Sequence, residues 1–386
     1  MTSSPEPGPS SPSAAVPSDA GGRGDGPGLE HLVDGRSIVV CCGSGGVGKT
    51  TTAAVVALEG ARRGRKTVVV TIDPARRLAD ALGLGGLTDT PSRIEGDWPG
   101  ELWATMLDTK STFDTLVAKY AGDESQAERI LANRFYRNIS GALSGTQENM
   151  AMEKLYELHD ETDFDLVVVD TPPTRHALDF LDAPRRLGRF LDHRLLRLLI
   201  APGRGLARAV NVATQTFLRT VSRVVGSEVV DDAVAFFQAF EGMEEGFRQR
   251  AARVDELLAA EGTAFLLVAS PRRDTVEEAH FFADRLHQAG IAVEGLVVNR
   301  VHPSFLAGPQ GGEPGTVSLA AASGSARRAE TVAGTAVGGL YRNLADFQAV
   351  ASREHAHLAG LADAVAPAPV VWVPFLRSDV HDLAGL

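Results

Sequence analysis

A glycine-rich segment with the sequence GSGGVGKT, residues 43–50, has the spacing of a phosphate-binding loop. Its glycines allow backbone N–H groups to turn toward a polyphosphate, and Lys49 can reach the β- and γ-phosphates. The Thr50 hydroxyl can bind Mg²⁺ at the N-terminus of the helix that follows. The residues predicted to hold a nucleotide are Gly43, Ser44, Gly45, Gly46, Val47, Gly48, Lys49, Thr50 and Thr51.

The segments on either side of this loop supply the strand and the helix that such a loop requires. A β-branched run at residues 37–42 precedes it, and an alanine-rich helical pattern follows at residues 51–63. The alternative is a chance glycine-rich turn. Because the spacing, the Lys-Thr ending and both flanking elements agree, the sequence favours the phosphate loop.

Two aspartates at predicted strand ends are candidates for the remaining chemistry. Asp73 follows the strand predicted at residues 66–72, and open α/β sheets place ligands at the carboxyl ends of strands. There it can orient or deprotonate an attacking water, although a helix N-cap ahead of Pro74 is an alternative. Asp170 follows the apolar run at residues 164–169 and is predicted to bring a carboxylate to the Mg²⁺ shell. The alternative is that Asp170 only terminates the strand.

Seven short apolar runs, separated by segments of helical periodicity, indicate a mainly parallel sheet covered by helices. Several of them lack polar alternation, as strands do when both of their faces are buried. The predicted strands are residues 38–42, 66–72, 102–107, 164–169, 263–269, 292–298 and 370–373. Together with the loop, this pattern predicts an α/β phosphate-loop fold as one domain over residues 30–386.

Two long stretches, residues 112–160 and 185–260, show helical periodicity alone and are predicted to be insertions that form a subdomain. Residues 1–29 are rich in Pro, Ser and Gly and are predicted to be a disordered tail. Within the second insertion, residues 185–200 place leucines at helical spacing with arginines elsewhere on the wheel. That pattern fits a lid for an apolar client, a surface for anionic lipid, or an ordinary packed helix.

Composition narrows the class of protein and its surroundings. A net charge of -11 and an isoelectric point near 5.4 disfavour a nucleic-acid-binding protein. The two cysteines, Cys41 and Cys42, are neighbours in a strand and point to opposite faces, which disfavours a disulfide or a zinc site and suits the cytoplasm. No apolar run reaches the length of about 18 residues that spans a bilayer, so we expect a protein that is not integral to the membrane.

Several motifs in sequence order resemble one family, the arsenical pump-driving ATPases and their relatives that target tail-anchored membrane proteins. The loop GSGGVGKT is similar to the family's GKGGVGKT, and the segment around Asp73 resembles its first switch with the catalytic aspartate. Residues 170–176 resemble its second switch. This resemblance extends over residues 36–386 and implies catalytic roles for Lys49 and Asp73 and metal-binding roles for Thr50 and Asp170.

Three further motifs extend the resemblance. Residues 145–148 are similar to a short motif between the helical insertions. Residues 296–300 resemble the strand end that contacts adenine, which would place Asn299 on the base. Residues 373–375 resemble the closing adenine loop, which implies that Pro374 and Phe375 contact the nucleotide.

The resemblance implies a cytosolic, Mg²⁺-dependent ATPase that acts as a dimeric switch, with ATP and Mg²⁺ as its ligands. Its nucleotide state would be coupled to anion transport, to a client protein with an apolar segment, or to another membrane-related process. The main alternative is a nucleotide-binding regulatory subunit with little hydrolysis of its own. A septum-placing or chromosome-partitioning ATPase is less consistent with the sequence, because neither a C-terminal membrane helix nor a basic patch is present.

Two departures from the family pattern bear on the dimer. Family members carry a lysine at the second loop position, where it reaches the partner's nucleotide, but this chain has Ser44. The members that clamp zinc between subunits use a CxxC pair, which this sequence lacks. We therefore expect slow hydrolysis by the chain alone, as a homodimer or as a heterodimer with a related ATPase that keeps the lysine.

Overall fold

The computed structural model describes residues 28–73, 77–139, 146–172, 182, 186, 189, 227–303, 335–376 and 378–386. Three predictions fall wholly or largely on other residues. The predicted disordered tail lies outside the described residues except for residues 28 and 29, and so does the amphipathic segment 185–200 except for Arg186 and Arg189. Of the segment that resembles the second switch, residues 170–172 are described.

An eight-stranded sheet in the order β3-β4-β2-β5-β1-β6-β7-β8 forms the centre of the structure. Its pairs are parallel except for β3 with β4. The strands are β1 (Ile38–Gly43), β2 (Lys66–Thr71), β3 (Ser92–Ile94), β4 (Glu101–Met106), β5 (Leu166–Asp170), β6 (Thr263–Ala269), β7 (Val293–Val301) and β8 (Val370–Pro374). The predicted α/β fold is thus confirmed, and β3 is a strand that the sequence pattern did not predict.

Helices cover both faces of this sheet. In chain order they are α1 (Glu30–Gly35), α2 (Lys49–Arg62), α3 (Arg77–Ala81), α4 (Thr109–Tyr120), α5 (Glu124–Ala132), α6 (Arg134–Ile139), α7 (Thr146–Asp160), α8 (Ser227–Ala239), α9 (Glu244–Ala259), α10 (Arg273–Gln288) and α11 (Thr335–Ala364). Among the described residues, no helix is both long and apolar enough to cross a bilayer.

The central strands are buried on both faces because their sequences are almost entirely apolar. All six residues of β1 and all seven of β6 are buried. Alternate residues of β1 join different cores, with Cys42 in the one on the side of α7 and Cys41 in the one on the side of α2. Both thiols are free, and burial raises the pKa of Cys42 to about 12. The neighbouring cysteines are therefore core residues on opposite faces of the sheet.

The helices in the two predicted insertion stretches pack against each other through aromatic side chains. Phe113 of α4 stacks on Tyr136 of α6, with 5.0 Å between ring centroids, and Tyr136 stacks on Phe236 of α8. Phe240 and Phe247 complete this cluster against Phe113. Aromatic rings bury large areas when they pack. These contacts therefore stabilise the association of segments that are about a hundred residues apart in sequence.

Candidate nucleotide-binding site

The glycine-rich loop leaves β1, turns over the carboxyl edge of the sheet and enters α2. Three of its glycines have positive φ, namely Gly43 at 148°, Gly46 at 76° and Gly48 at 101°. A Cβ atom on Gly43 would lie 2.1 Å from the Val268 carbonyl oxygen, and one on Gly48 would lie 2.2 Å from the Asn299 amide nitrogen. The loop conformation therefore requires glycine at both positions.

The other loop residues differ in exposure. Gly45 and Gly46 at the tip are exposed, whereas Val47 is buried. Ser44 is only 2 % exposed, and its hydroxyl has no hydrogen-bond partner among the described residues. Thr51, the third residue of α2, is half-buried.

Lys49 is the first residue of α2 and is 5 % exposed. Its ammonium donates a hydrogen bond to the Ser44 carbonyl oxygen at 2.8 Å, so the side chain lies along the loop. Burial lowers the Lys49 pKa, and the nearby Asp170 carboxyl opposes that shift. A positive group held against a glycine-rich loop at the N-terminus of a helix fits a polyphosphate anion.

Asp170 ends β5 beside the loop and is 1 % exposed. Its Oδ2 atom accepts hydrogen bonds from the hydroxyls of Thr50 and Thr71, both at 2.9 Å. Its Oδ1 atom is buried and has no hydrogen-bond partner in the described part of the chain. Burial raises the Asp170 pKa to about 6, while the two hydroxyls and Lys49 act in the opposite direction.

This group of oxygens fits a magnesium ion. Mg²⁺ in nucleotide sites keeps several waters and binds one or two protein oxygens together with phosphate oxygens. The Thr50 hydroxyl and the Asp170 carboxylate are oxygen donors of that kind, and a metal-bound water would supply the partner that Oδ1 lacks. The residues present therefore match the predicted metal site in their chemistry.

Asp73 lies two residues beyond the end of β2. Its side chain is 13 % exposed and lies 3.4 Å from the Arg77 guanidinium. Its backbone N–H donates to the Thr71 hydroxyl at 3.2 Å, and that hydroxyl also contacts Asp170. Thr71 thus connects the two acids, while residues 74–76, which bear on the N-cap alternative, lie outside the described residues.

The motif predicted between the insertions also contacts this region. Gln147 lies in the first turn of α7, and its side-chain amide donates to the Ile72 carbonyl oxygen at 2.8 Å. This hydrogen bond attaches α7 to the residue that precedes Asp73. Residues 140–145 lie outside the described residues, so the structure locates the last three of the motif's four residues, 146–148.

Asn299 near the end of β7 holds the phosphate loop from the other side. Its Nδ2 atom donates to the Val47 carbonyl oxygen at 2.9 Å, and its Oδ1 atom accepts from the backbone N–H of Arg300 at 2.9 Å. An amide side chain has two donor hydrogens and an oxygen with two lone pairs. Among the described residues, one donor and one acceptor position on Asn299 therefore remain for a ligand.

Pro374 and Phe375 lie at the end of β8, the strand next to β7, and both are exposed. The Phe375 backbone N–H donates to the Val301 carbonyl oxygen at 2.9 Å. Its ring is 60 % exposed and stacks on His302, with centroids 5.7 Å apart and planes at 13°. The sequence did not identify His302, which is in turn fixed by a 2.7 Å contact with Glu354.

The order of the strands divides the site into two sides. On one side of β1 are β5 and β2, which carry Asp170 and precede Asp73. On the other side, beyond β6, are β7 and β8, which carry Asn299 and Pro374. Carboxylates and hydroxyls therefore lie on one side of the phosphate loop, and an amide and an exposed aromatic ring lie on the other.

A phosphate loop at the carboxyl edge of this mainly parallel sheet defines the class of phosphate-loop nucleoside triphosphatases. The chain matches the anion-transporting ATPase family over residues 36–307. It therefore belongs to that family, as the motifs in its sequence indicated.

The individual relatives share about a quarter to a third of their aligned residues with this chain. The chain is 28 % identical to the ATPase GET3 of Malassezia globosa over 167 residues, which are 43 % of this chain and 48 % of that protein. It is 23 % identical over 269 residues to the putative arsenical pump-driving ATPase 2 of Aquifex aeolicus, 68 % of this chain and 79 % of that protein. An uncharacterised protein of Streptomyces coelicolor is 31 % identical over 274 residues, 69 % of this chain and 64 % of that protein. The match thus spans about half the length of the fungal relative.

Proposed function

We propose that this chain binds ATP with Mg²⁺ and hydrolyses it to ADP and phosphate. The observation that carries the proposal is the hydrogen-bonded group of Thr50, Asp170 and Thr71, which adjoins a lysine-bearing phosphate loop. Membership of an ATPase family supports the same activity.

In this proposal the protein acts mainly by positioning charges, as phosphoryl transfer requires. Lys49 and the loop amides would hold the phosphates. Thr50 would bind Mg²⁺ directly and Asp170 would act through the water shell of the ion, which would neutralise developing negative charge. Asp73 orients the attacking water and accepts its proton. The Arg77 guanidinium lies 3.4 Å from the Asp73 carboxyl and forms an ion pair with it.

Replacing Asp73 with Asn tests the catalytic part of the proposal. The change preserves size and removes the base, so kcat should fall by about 10²- to 10⁴-fold while Kd for Mg·ATP is unchanged. Steady-state phosphate release and calorimetric titration give the two quantities. Asp80→Asn is a matched control, since Asp80 is an exposed acid in the following helix α3.

The N-cap alternative makes the opposite prediction. Asn caps helices as well as Asp does, so a cap residue would tolerate Asp73→Asn without a change in rate. An unchanged kcat would therefore remove Asp73 from the catalytic machinery.

A second proposal concerns the partner and rests on Ser44. We infer that the chain acts in a dimer, and that a related ATPase with lysine at this loop position completes its active site. Ser44 is buried and uncharged, so it cannot supply a cation across an interface. The wild-type chain alone should then hydrolyse ATP slowly, whether it is a regulatory subunit or a catalytic subunit that its partner activates.

Ser44→Lys tests this idea directly. A cation that stabilises the transition state raises kcat by orders of magnitude, about 10³-fold or more for an arginine finger. Hydrolysis should therefore increase in Ser44→Lys but not in Ser44→Met, which has comparable length and no charge. Fast turnover by the wild type, not raised by Ser44→Lys, would contradict the heterodimer and favour a homodimer.

The process that the nucleotide drives also belongs to this proposal. We infer that ATP binding and hydrolysis are coupled to the transport of an anion or to the handling of an apolar client at a membrane. The names of the family and of the Aquifex aeolicus relative support the first of these. Mixing the chain with candidate partners and measuring phosphate release identifies the one that accelerates turnover.

A further inference from the structure

Arg300 has a backbone conformation that is unusual for a residue with a side chain. Its φ is 61°, and among the described residues it is the one non-glycine residue with positive φ. It is the penultimate residue of β7, and the register between β7 and β8 shifts between Val298 and Val301. L-residues rarely adopt this region, whereas glycine enters it freely. Arginine at such a position indicates that its side chain has a use there.

The left-handed turn directs Arg300 onto the phosphate loop. Its Nη1 atom donates to the Gly46 carbonyl oxygen at 3.2 Å, while its backbone N–H donates to the Asn299 side chain. Asn299 itself donates to the Val47 carbonyl oxygen. Consecutive residues of β7 thus hold consecutive carbonyl groups of the loop. Strand irregularities of this kind re-aim side chains near active sites.

The position of β7 decides which part of a nucleotide Arg300 can reach. Asp170 and Asp73 follow strands on the opposite side of β1, so the reacting phosphate and its metal belong on that side. Arg300 is on the side of β8, whose end carries the exposed Phe375 ring. It is therefore placed for the nucleoside and does not substitute for the cation that is missing at Ser44.

The Arg300 guanidinium retains capacity for a ligand. The residue is exposed, and the Gly46 carbonyl occupies one of its five N–H donors. A guanidinium is planar and stacks on aromatic faces, which an ammonium does less well. One edge anchored on the loop and one open face are what a residue needs to cover a purine or its ribose.

We infer that Arg300 contacts the nucleoside of the bound nucleotide, with its guanidinium anchored on the Gly46 carbonyl and its face against the purine and ribose. This inference rests on the proposed function. The family resemblance covers residues 296–300 but assigns a contact only to Asn299, so the role of Arg300 comes from its geometry. The left-handed backbone at Arg300 is maintained for this contact.

Arg300→Gly separates this role from a structural one, because glycine removes the guanidinium and relieves the backbone. Kd for Mg·ATP and Mg·ADP should rise by about tenfold, as expected when a stacked cation is lost. Kd for inorganic tripolyphosphate, which has no nucleoside, should not change. The melting temperature without nucleotide should stay equal or rise. Arg300→Asn, which also tolerates positive φ, should reproduce the selective loss, and Arg300→Lys should lose less.

Each other outcome overturns the inference. An equal loss for ATP and tripolyphosphate would show that Arg300 only shapes the loop. An unchanged Kd for ATP would make it a surface residue, and a lower melting temperature with unchanged Kd would make it a structural one. Lys49→Ala is the control for the site, because it should weaken both ligands. A wild-type chain that binds neither ligand would overturn the proposed function and this inference together.

Discussion

Replacing Asp170 with Asn should stabilise the metal-free protein at neutral and alkaline pH. Burial raises the Asp170 pKa from 3.8 to about 6, so the folded protein holds this proton more tightly than the unfolded chain does. The stabilising contribution is complete below the unfolded pKa and is lost as the pH rises through the folded value. Above that pH the wild type carries a buried charge that Asn does not.

The magnitude follows from the shift. About two pKa units at about 1.4 kcal/mol each set an upper limit of about 3 kcal/mol on the gain. The Thr50 and Thr71 hydroxyls can still donate to the amide oxygen of Asn, which preserves both 2.9 Å hydrogen bonds. The unpartnered Oδ1 position is uncharged in the variant. We therefore expect the free energy of unfolding to increase by about 1 to 3 kcal/mol.

Urea unfolding in the presence of a chelator measures this difference at two pH values. At about pH 8 the variant should be more stable than the wild type, and at about pH 4 the two should agree. Added Mg·ATP should reverse the order, because the wild type alone retains the carboxylate that binds the metal. Asp97→Asn, which alters an exposed aspartate, is the control and should show neither effect. A variant that is less stable at both pH values would refute this reasoning.

Two further substitutions test a buried ion pair between α7 and α9 and the backbone of the phosphate loop. Arg250→Ala leaves the buried Glu153 carboxylate without its guanidinium, so the free energy of unfolding in urea should fall by about 3 to 5 kcal/mol. As a control, Arg253→Ala removes an exposed arginine of the same helix and should cost less than about 1 kcal/mol. Equal losses would contradict the role of the buried pair. Gly48→Ala places a Cβ atom 2.2 Å from the Asn299 amide nitrogen at a φ of 101°, which the phosphate loop cannot accommodate without a shift. Calorimetry should therefore detect little Mg·ATP binding by this variant. Unchanged affinity would contradict the loop geometry.

The strands that are buried on both faces were predicted well, because they appear in the sequence as continuous apolar runs. Strands β1 and β6 are buried at every residue, and their predicted bounds differ from the structure by at most one residue. The sequence pattern missed β3, because Ser92–Ile94 has three residues, two of them exposed, and so offers no periodicity. It also ended β7 at residue 298, since Asn299 and Arg300 look like loop residues although the strand continues to Val301.

The candidate site was predictable where a local rule applied and not where contacts join distant segments. Glycine spacing located the phosphate loop, and a strand followed by an acid identified Asp73 and Asp170. No local pattern marks Thr71 as the hydroxyl that contacts both acids, although it precedes Asp73 by two residues. Nor does any pattern pair His302 with Glu354, which is 52 residues away.

Calorimetric titration of Mg·ATP into the wild type and Lys49→Ala tests the central claim most directly. The account predicts one nucleotide per wild-type chain and a Kd that is about 10- to 100-fold weaker in Lys49→Ala, because a charge-assisted contact to phosphate is lost. Circular dichroism should show that the variant keeps its fold, since the Ser44 carbonyl that accepts from Lys49 lies in the loop at the edge of the sheet. Equal affinity in the two proteins, or no binding by the wild type, would contradict the assignment of residues 43–50 as a nucleotide-binding loop.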